Sequence, residues 1–169
     1  HRYTSALKVR DSLNIEGAKY ALVCFVNSFN EGMIILPTNR IVFGLEKVDT
    51  GSFLSKLVDY FIIEETADVN ELVKRLEGTE IMIDKKSNLK NHVFGIYSNL
   101  NGRSYLLELK DRNVLANVLP KNTDVYRKLD VNILHKIIIE KALGISEEQQ
   151  SKRENIDFVK GNEETIKRM

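Results

Sequence analysis

One cysteine in 169 residues, Cys24, leaves the chain without an internal disulfide and without a thiolate cluster for a metal. No apolar run approaches the length that spans a bilayer. Net charge is nearly absent as well: 25 Lys and Arg stand against 24 Asp and Glu. With these charges spread along the chain there is no field to gather a polyanion, which argues against duplex nucleic acid as a main ligand. The sequence has no internal repeat, no low-complexity tract and no glycine-rich phosphate loop. No initiator Met precedes His1 and no signal pattern follows it, so the expectation is a start inside a longer reading frame; the chain also stops at Met169 inside an expected helix. A lone thiol in an apolar run makes a reducing, cytoplasmic setting the default.

What is present suits a folded domain. Hydrophobic residues make up 43% and charged residues 29%, enough for one real core. The pattern predicts an α+β fold, a mostly antiparallel sheet with helices packed on it, over residues 1–145, followed by a charged linker and a terminal strand and helix over 146–169.

Chemically able side chains gather at the start. Tyr3, Ala6, Leu7 and Leu13 fall near one side of a helix expected from about Thr4 to Asn14. A helix N-terminus presents unpaired N–H groups and the positive end of the macrodipole, so His1, Arg2 and the hydroxyls of Thr4 and Ser5 could serve a phosphate or carboxylate there. The competing reading is that Thr4 or Ser5 caps the helix and Arg2 is solvated.

Tyr20 to Val26 is a near-continuous apolar run that predicts a central strand covered on both faces, with Cys24 a small buried hydrophobe. Met33 to Leu36 predicts a second strand, interrupted by Pro37. The polar triplet Thr38, Asn39 and Arg40 then separates this strand from Ile41-Val42-Phe43, which makes it a second candidate site or, alternatively, an exposed bulge. Arg40 and Arg2 are expected to face the same anion.

Thr50 or Ser52 can cap a helix reaching about Tyr60. Phe61 to Glu65 reads as a strand, and neighbours in a strand point apart, so Glu64 and Glu65 are not a catalytic pair. A short helix over Asn70 to Leu76 and a brief strand over Ile81 to Asp84 follow. His92–Ser98 and Arg103–Lys110 predict a hairpin across Asn101-Gly102. Arg112 to Leu119 is ambiguous. Asp130 can cap a helix from Val131 to Leu143, apolar on more than one side and ended by Gly144, which implies burial between the sheet and another element. His135 on that helix reads as a packed, hydrogen-bonded residue, since no second His or carboxylate stands at ligand spacing; no metal site is expected. Glu147 to Glu154 reads as a solvated helix or linker, Ile156 to Val159 as a strand, and Gly161 or Asn162 as the start of a last helix.

His1-Arg2-Tyr3, Thr4, Ala6-Leu7 and Arg10-Asp11 resemble the second half of the Ala-Asp-Gly-His-His-Arg-Tyr-Glu-Thr-Ala-Leu segment of the DUF1015 family of uncharacterised bacterial and archaeal proteins. Further similar segments follow in order: Leu36-Pro37-Thr38-Asn39-Arg40, Phe94-Gly95-Ile96-Tyr97, Leu129-Asp130-Val131 with Leu134-His135, Leu143-Gly144-Ile145 and Phe158-Val159-Lys160-Gly161. Through its His-His-Arg segment this family is similar to the partition-protein, sulfiredoxin and free-serine-kinase group, where that segment helps hold nucleotide phosphates. The resemblance implies a phosphate clamp at Arg2 and a hydrogen-bond donor or general base at His1. It also implies ATP or ADP with magnesium as ligand of the complete protein, and a preceding N-terminal domain as partner. Asn39 stands where the family segment has His, keeping a donor and an acceptor but losing the ability to titrate.

Three functions compete. The first is phosphate or nucleotide handling, kinase-like in the complete protein. The second is a nucleic-acid-binding, partition-like module, opposed by balanced charge and the lack of a visible helix-turn-helix. The third is a structural or regulatory half that supports a catalytic domain elsewhere.

Overall fold

The computed structural model describes residues 2–13, 16–20, 22–27, 36–45, 48–81, 92–120 and 122–169, and divides into two units, His1–Ile35 and Leu36–Met169. In the first unit, helix α1 spans Arg2–Leu13. It starts two residues before the expected boundary, so Thr4 and Ser5 sit inside the helix and do not cap it. Ala6, Val9 and Leu13 are exposed, and of its described side chains Leu7 alone is half-buried, so the expected apolar stripe has little to cover it. A single 3₁₀ turn, Glu16–Lys19, carries Gly17.

The expected central strand over Tyr20 to Val26 does not form among its described residues. Residues 22–27 have no regular secondary structure, Leu22 and Phe25 are almost fully exposed, and Cys24 is exposed too, not a buried hydrophobe. An apolar run becomes a strand only where a neighbour supplies ladder hydrogen bonds, and among the described residues none pairs with this segment. The predicted strands over Met33 to Leu36 and Ile81 to Asp84 lie mostly outside the described residues; of their described members, Leu36 has no regular secondary structure and Ile81 ends a helix.

The second unit is built from two antiparallel sheets and the helices between them. Strand β1, Thr38–Val42, opens directly after Pro37. Helix α2, Thr50–Leu57, is capped by the carboxylate of Asp49, which accepts from the N–H groups of Gly51 and Ser52; neither Thr50 nor Ser52 is the cap. Asp49 wins because its extended backbone aims an ionised acceptor at the positive helix end. Strand β2 is Phe61–Thr66 and helix α3 is Val69–Ile81, longer than the segment expected. Glu64 and Glu65 do diverge: Glu64 takes a two-pronged ion pair from Arg75 at 2.7 Å, and Glu65 pairs with Arg103.

The hairpin forms as its turn dipeptide requires. Strands β3, Val93–Ser98, and β4, Arg103–Leu109, are joined across a loop in which Gly102 adopts φ 67° and donates to the Ser98 carbonyl. β4 is central, in the order β2-β4-β3, and Ser104, Tyr105, Leu106 and Leu107 are all buried. Thr66 and Ser104, opposite each other in register, share a buried hydroxyl contact of 2.9 Å. α3 crosses β3 at Gly95, where an added Cβ would lie 2.7 Å from Leu76 and 3.1 Å from Leu72, so the glycine permits the close approach.

Short helices α4, Val114–Val118, and α5, Asp124–Arg127, lead into α6, Asp130–Ile133, which continues as a π-helix over Leu134–Ala142. Leu129 occupies the cap position that the sequence suggested for Asp130. The Asp130 carboxylate instead meets Nδ1 of the buried His92 at 2.6 Å, a partner that only the fold brings near. The expected broad burial is observed. Ile137 and Ile138 enter the main core with Phe53, Leu57, Phe61 and Leu107, while Ile139 joins Ile145 and Ile156 in a second cluster. Gly144, at φ 78°, ends the helix, and Lys56 from α2 donates to the Ala142 carbonyl. Helix α7, Glu147–Lys152, is set by a capping box between Ser146 and Gln149. Strand β5, Ile156–Lys160, returns to pair with β1, and helix α8, Asn162–Lys167, closes the unit. Among the described residues no helix is long and apolar enough to cross a membrane.

Candidate ligand-binding site

The Thr38-Asn39-Arg40 triplet does not form a bulge. It lies in regular ladder register with β5, Thr38 opposite Lys160, Asn39 opposite Val159 and Arg40 opposite Phe158. Strand alternation sends Asn39 and Arg40 to opposite faces. Thr38 is exposed.

Arg40 stands at the centre of a network that links three elements. Its guanidinium carbon is 5.5 Å from the centre of the Phe158 ring, within cation–π range. His135, from the first turn of the π-helix, stacks nearly parallel to the same ring at 13°. Arg40 Nη2 lies 3.1 Å from His135 Nε2, and Nη1 donates to the Thr38 carbonyl. Guanidinium has no acceptor, so Nε2 must be the lone-pair nitrogen and Nδ1 must carry the proton. Nδ1–H therefore donates to Gln150 Oε1 on α7, and Gln150 Nε2 donates on to the Ile145 carbonyl at 2.9 Å. Each donor direction in this relay follows from the first.

The electrostatics agree with that assignment. Burial pushes the His135 imidazole below its ordinary value, and the Arg40 charge acts the same way; the hydrogen bond to Gln150 opposes both without prevailing. Neutral His135 is the form that can accept from Arg40. Burial also lowers Arg40 from its ordinary value, a sign that the cation is partly removed from water. Among the described residues no carboxylate pairs with it, and its Nε is the one buried side-chain nitrogen or oxygen left without a hydrogen-bond partner.

Arg40 and Asn39 both line a cavity of about 500 Å³ walled by β1, α2, α3, β3, the π-helix and α8. The volume lies in the range of small-molecule sites. Its wall is mainly aliphatic, with Val42, Leu45, Leu72, Leu76, Leu134 and Ile138 among the lining residues. Asn39 has another occupation. Its amide nitrogen faces the Gly161 carbonyl, Asn162 Oδ1 and Thr165 Oγ1 at 3.3, 3.0 and 2.9 Å, three acceptors for two N–H groups, which ties the start of α8 to β1. Thr50 Oγ1 and Ser98 Oγ, also on the wall, bond to each other at 2.8 Å.

The sequence-based candidates thus divide. Arg40 and Asn39 are both among the residues lining the cavity, with their side chains on opposite faces of β1, while Thr38 contributes its backbone carbonyl to Arg40. Arg2 and Thr4 belong to α1 of the first unit, where Thr4 is exposed, and His1 lies outside the described residues. Sequence reasoning did not assign His135, Gln150 or Phe158 to the site. The available signal was that Leu134-His135 and Phe158 to Gly161 are family-like segments. Among the described residues no group of three His, Cys, Asp or Glu side chains is placed to share a metal ion.

The model of the family described as "Protein of unknown function (DUF1015)" matches residues 1–132. No curated protein and no solved structure matches the chain.

Proposed function

We propose, for a chain that belongs to the DUF1015 family of proteins of unknown function, a role in binding a small molecule, with Arg40 anchoring an anionic group at the cavity wall. The observation that carries this reading is a largely aliphatic cavity of about 500 Å³ with Arg40, a half-buried cation that no described carboxylate neutralises, among its lining residues. An oxyanion beside the guanidinium would supply the counter-charge that no described carboxylate provides. His135, Gln150 and Phe158 then act as positioning residues that hold the fork in place. The finer form of the proposal is phosphate or nucleotide handling in a longer, kinase-like protein. There Arg2 and Thr4 at the start of α1 would be the phosphate-binding residues of the first unit, His1 would be a hydrogen-bond donor or general base, and this chain would be the supporting half.

Calorimetric titration of MgATP, MgADP, inorganic phosphate and sodium octanoate into the 169-residue chain and its Arg40→Gln variant tests the reading. At least one probe should bind saturably and weaken roughly 10- to 100-fold in the variant, as the loss of hydrogen bonds to a charged group implies. Binding that the variant leaves unchanged, or no binding of any probe, overturns it.

A further inference from the structure

We propose that His135 is an acid-sensitive latch: neutral, it ties β1 to the π-helix and α7, and on taking up a proton it lets go of Arg40. This goes beyond the binding role and stands whether or not the cavity takes a ligand. The ground is hydrogen-bond stoichiometry. Arg40 Nη2 lies 3.1 Å from His135 Nε2, and Nη1 is spent on the Thr38 carbonyl. A guanidinium only donates, so the lone pair on Nε2 makes this contact. Across the ring Nδ1–H donates to Gln150 Oε1, and Gln150, itself buried, is held by the Ile145 carbonyl. One proton on Nε2 removes the acceptor and sets two cations against each other.

The surroundings do not absorb the added charge. The groups that act on the ring are Arg40 from β1, Phe158 from β5, Gln150 and Glu147 from α7, and Lys136 from the π-helix itself. Glu147 is the carboxylate among them, and it is already paired with Lys136 at 3.1 Å. Arg153 lies 5.4 Å from the centre of the Phe158 ring and 4.0 Å from Asp157. A protonated His135 is therefore a third cation around one aromatic ring, beside Arg40 and Arg153. Burial and the Arg40 charge both hold the imidazole below its ordinary value, which puts the release on the acid side. β1 and the π-helix wall the same cavity, so the latch sets how firmly two of its sides are joined.

Nitrogen-detected NMR of the imidazole and guanidinium groups in the 169-residue chain, titrated from neutral to acid, tests this. At neutral pH His135 should be the Nδ1–H tautomer, and the buried Arg40 Nε–H should exchange slowly with water. As His135 titrates, protection of that N–H relative to the exposed Arg153 should fall about 10- to 100-fold, the worth of a hydrogen bond to a charged group. The Phe43 amide, bonded to the Asn155 carbonyl at the end of the β1–β5 ladder, should keep its protection. His135→Gln, whose amide can accept from Arg40 and donate to Gln150 without titrating, should hold Arg40 into acid. Gln150→Glu, which offers Nδ1–H a carboxylate, should move the midpoint upward; circular dichroism at neutral pH establishes that both variants fold. An Nε2–H tautomer at neutral pH overturns the latch. So does Arg40 protection that persists while His135 titrates, or the same loss in His135→Gln. Loss of Phe43 protection together with that of Arg40 means the unit unfolds as a whole and also overturns it, and a Gln150→Glu midpoint at or below wild type overturns the tie to α7.

Discussion

The two sheets of the second unit use their side chains in opposite ways. In β2-β4-β3 the buried residues meet one another: Leu107 is fully enclosed, and the Thr66 hydroxyl meets the Ser104 hydroxyl and the Asp68 carbonyl. In the β1-β5 ladder a charged residue, Arg40, is half-buried over Phe158 and leaves its Nε without a hydrogen-bond partner. The first sheet is closed chemistry that supports the fold, and the second is open chemistry that stability alone would not select. A change in the one should therefore appear in folding, and a change in the other in ligand binding and pH response.

Leu107→Ala should break the contrast most severely. Removing a fully buried leucine costs about 2–5 kcal/mol, readable as a lower urea midpoint, while an Arg40→Gln chain should unfold close to wild type. A destabilisation by Arg40→Gln as large as that of Leu107→Ala would dissolve the distinction. The Thr66–Ser104 pair sharpens it. Thr66→Val alone should cost about 1–3 kcal/mol by leaving the buried Ser104 hydroxyl without this partner, Ser104→Ala should cost less because Thr66 keeps the Asp68 carbonyl, and the double variant should cost less than the sum. Additive losses in that cycle would mean the two hydroxyls do not depend on each other. Ser146→Ala, which removes the capping box that sets α7 and so places Gln150, should cost about 1 kcal/mol of stability.

The smallest effect is a pH dependence. Burial holds His135 below its ordinary value of 6.5 in the folded state. Above that value folded and unfolded chains are both neutral there. As pH falls below it the unfolded chain takes up the proton first, so stability is lost progressively until the lower folded value is passed. Thermal melting at pH 7.5 and 5.5 should show this decline, and His135→Gln should flatten it. The groups that set its size are Gln150, Arg40, Glu147 and Lys136. An unchanged slope in His135→Gln would assign the titration to another residue.

Legibility followed the range of the interaction that decides each feature. The hairpin at Asn101-Gly102, the Gly144 stop, the divergence of Glu64 and Glu65 and the last helix could be read because each depends on neighbours in sequence. Cap assignments failed at Asp49 and Asp130 for a related reason: several acceptors stood within a few residues, and backbone angles or a distant histidine chose among them. Arg40 was singled out from a local polar triplet between apolar pieces. Its partners were not, since His135, Gln150 and Phe158 lie 95 or more residues away and carry no spacing that marks them. Residues 20–26 mark the limit of apolar patterning: the run looks as buriable as Ile137 to Ile139, yet its described members are exposed and the isoleucines are enclosed.

By itself the sequence determined the α+β class, the membership of most helices and strands, and the absence of any charge excess that would attract a polyanion, because these follow from local periodicity and from sums over residues. Tertiary structure alone decided that β5 pairs with β1, and with it that Arg40 meets Phe158 and His135 beside an aliphatic cavity. Pairing of that kind brings together side chains more than a hundred residues apart, and the desolvation that leaves one N–H of Arg40 open exists only once the surrounding elements have closed around it.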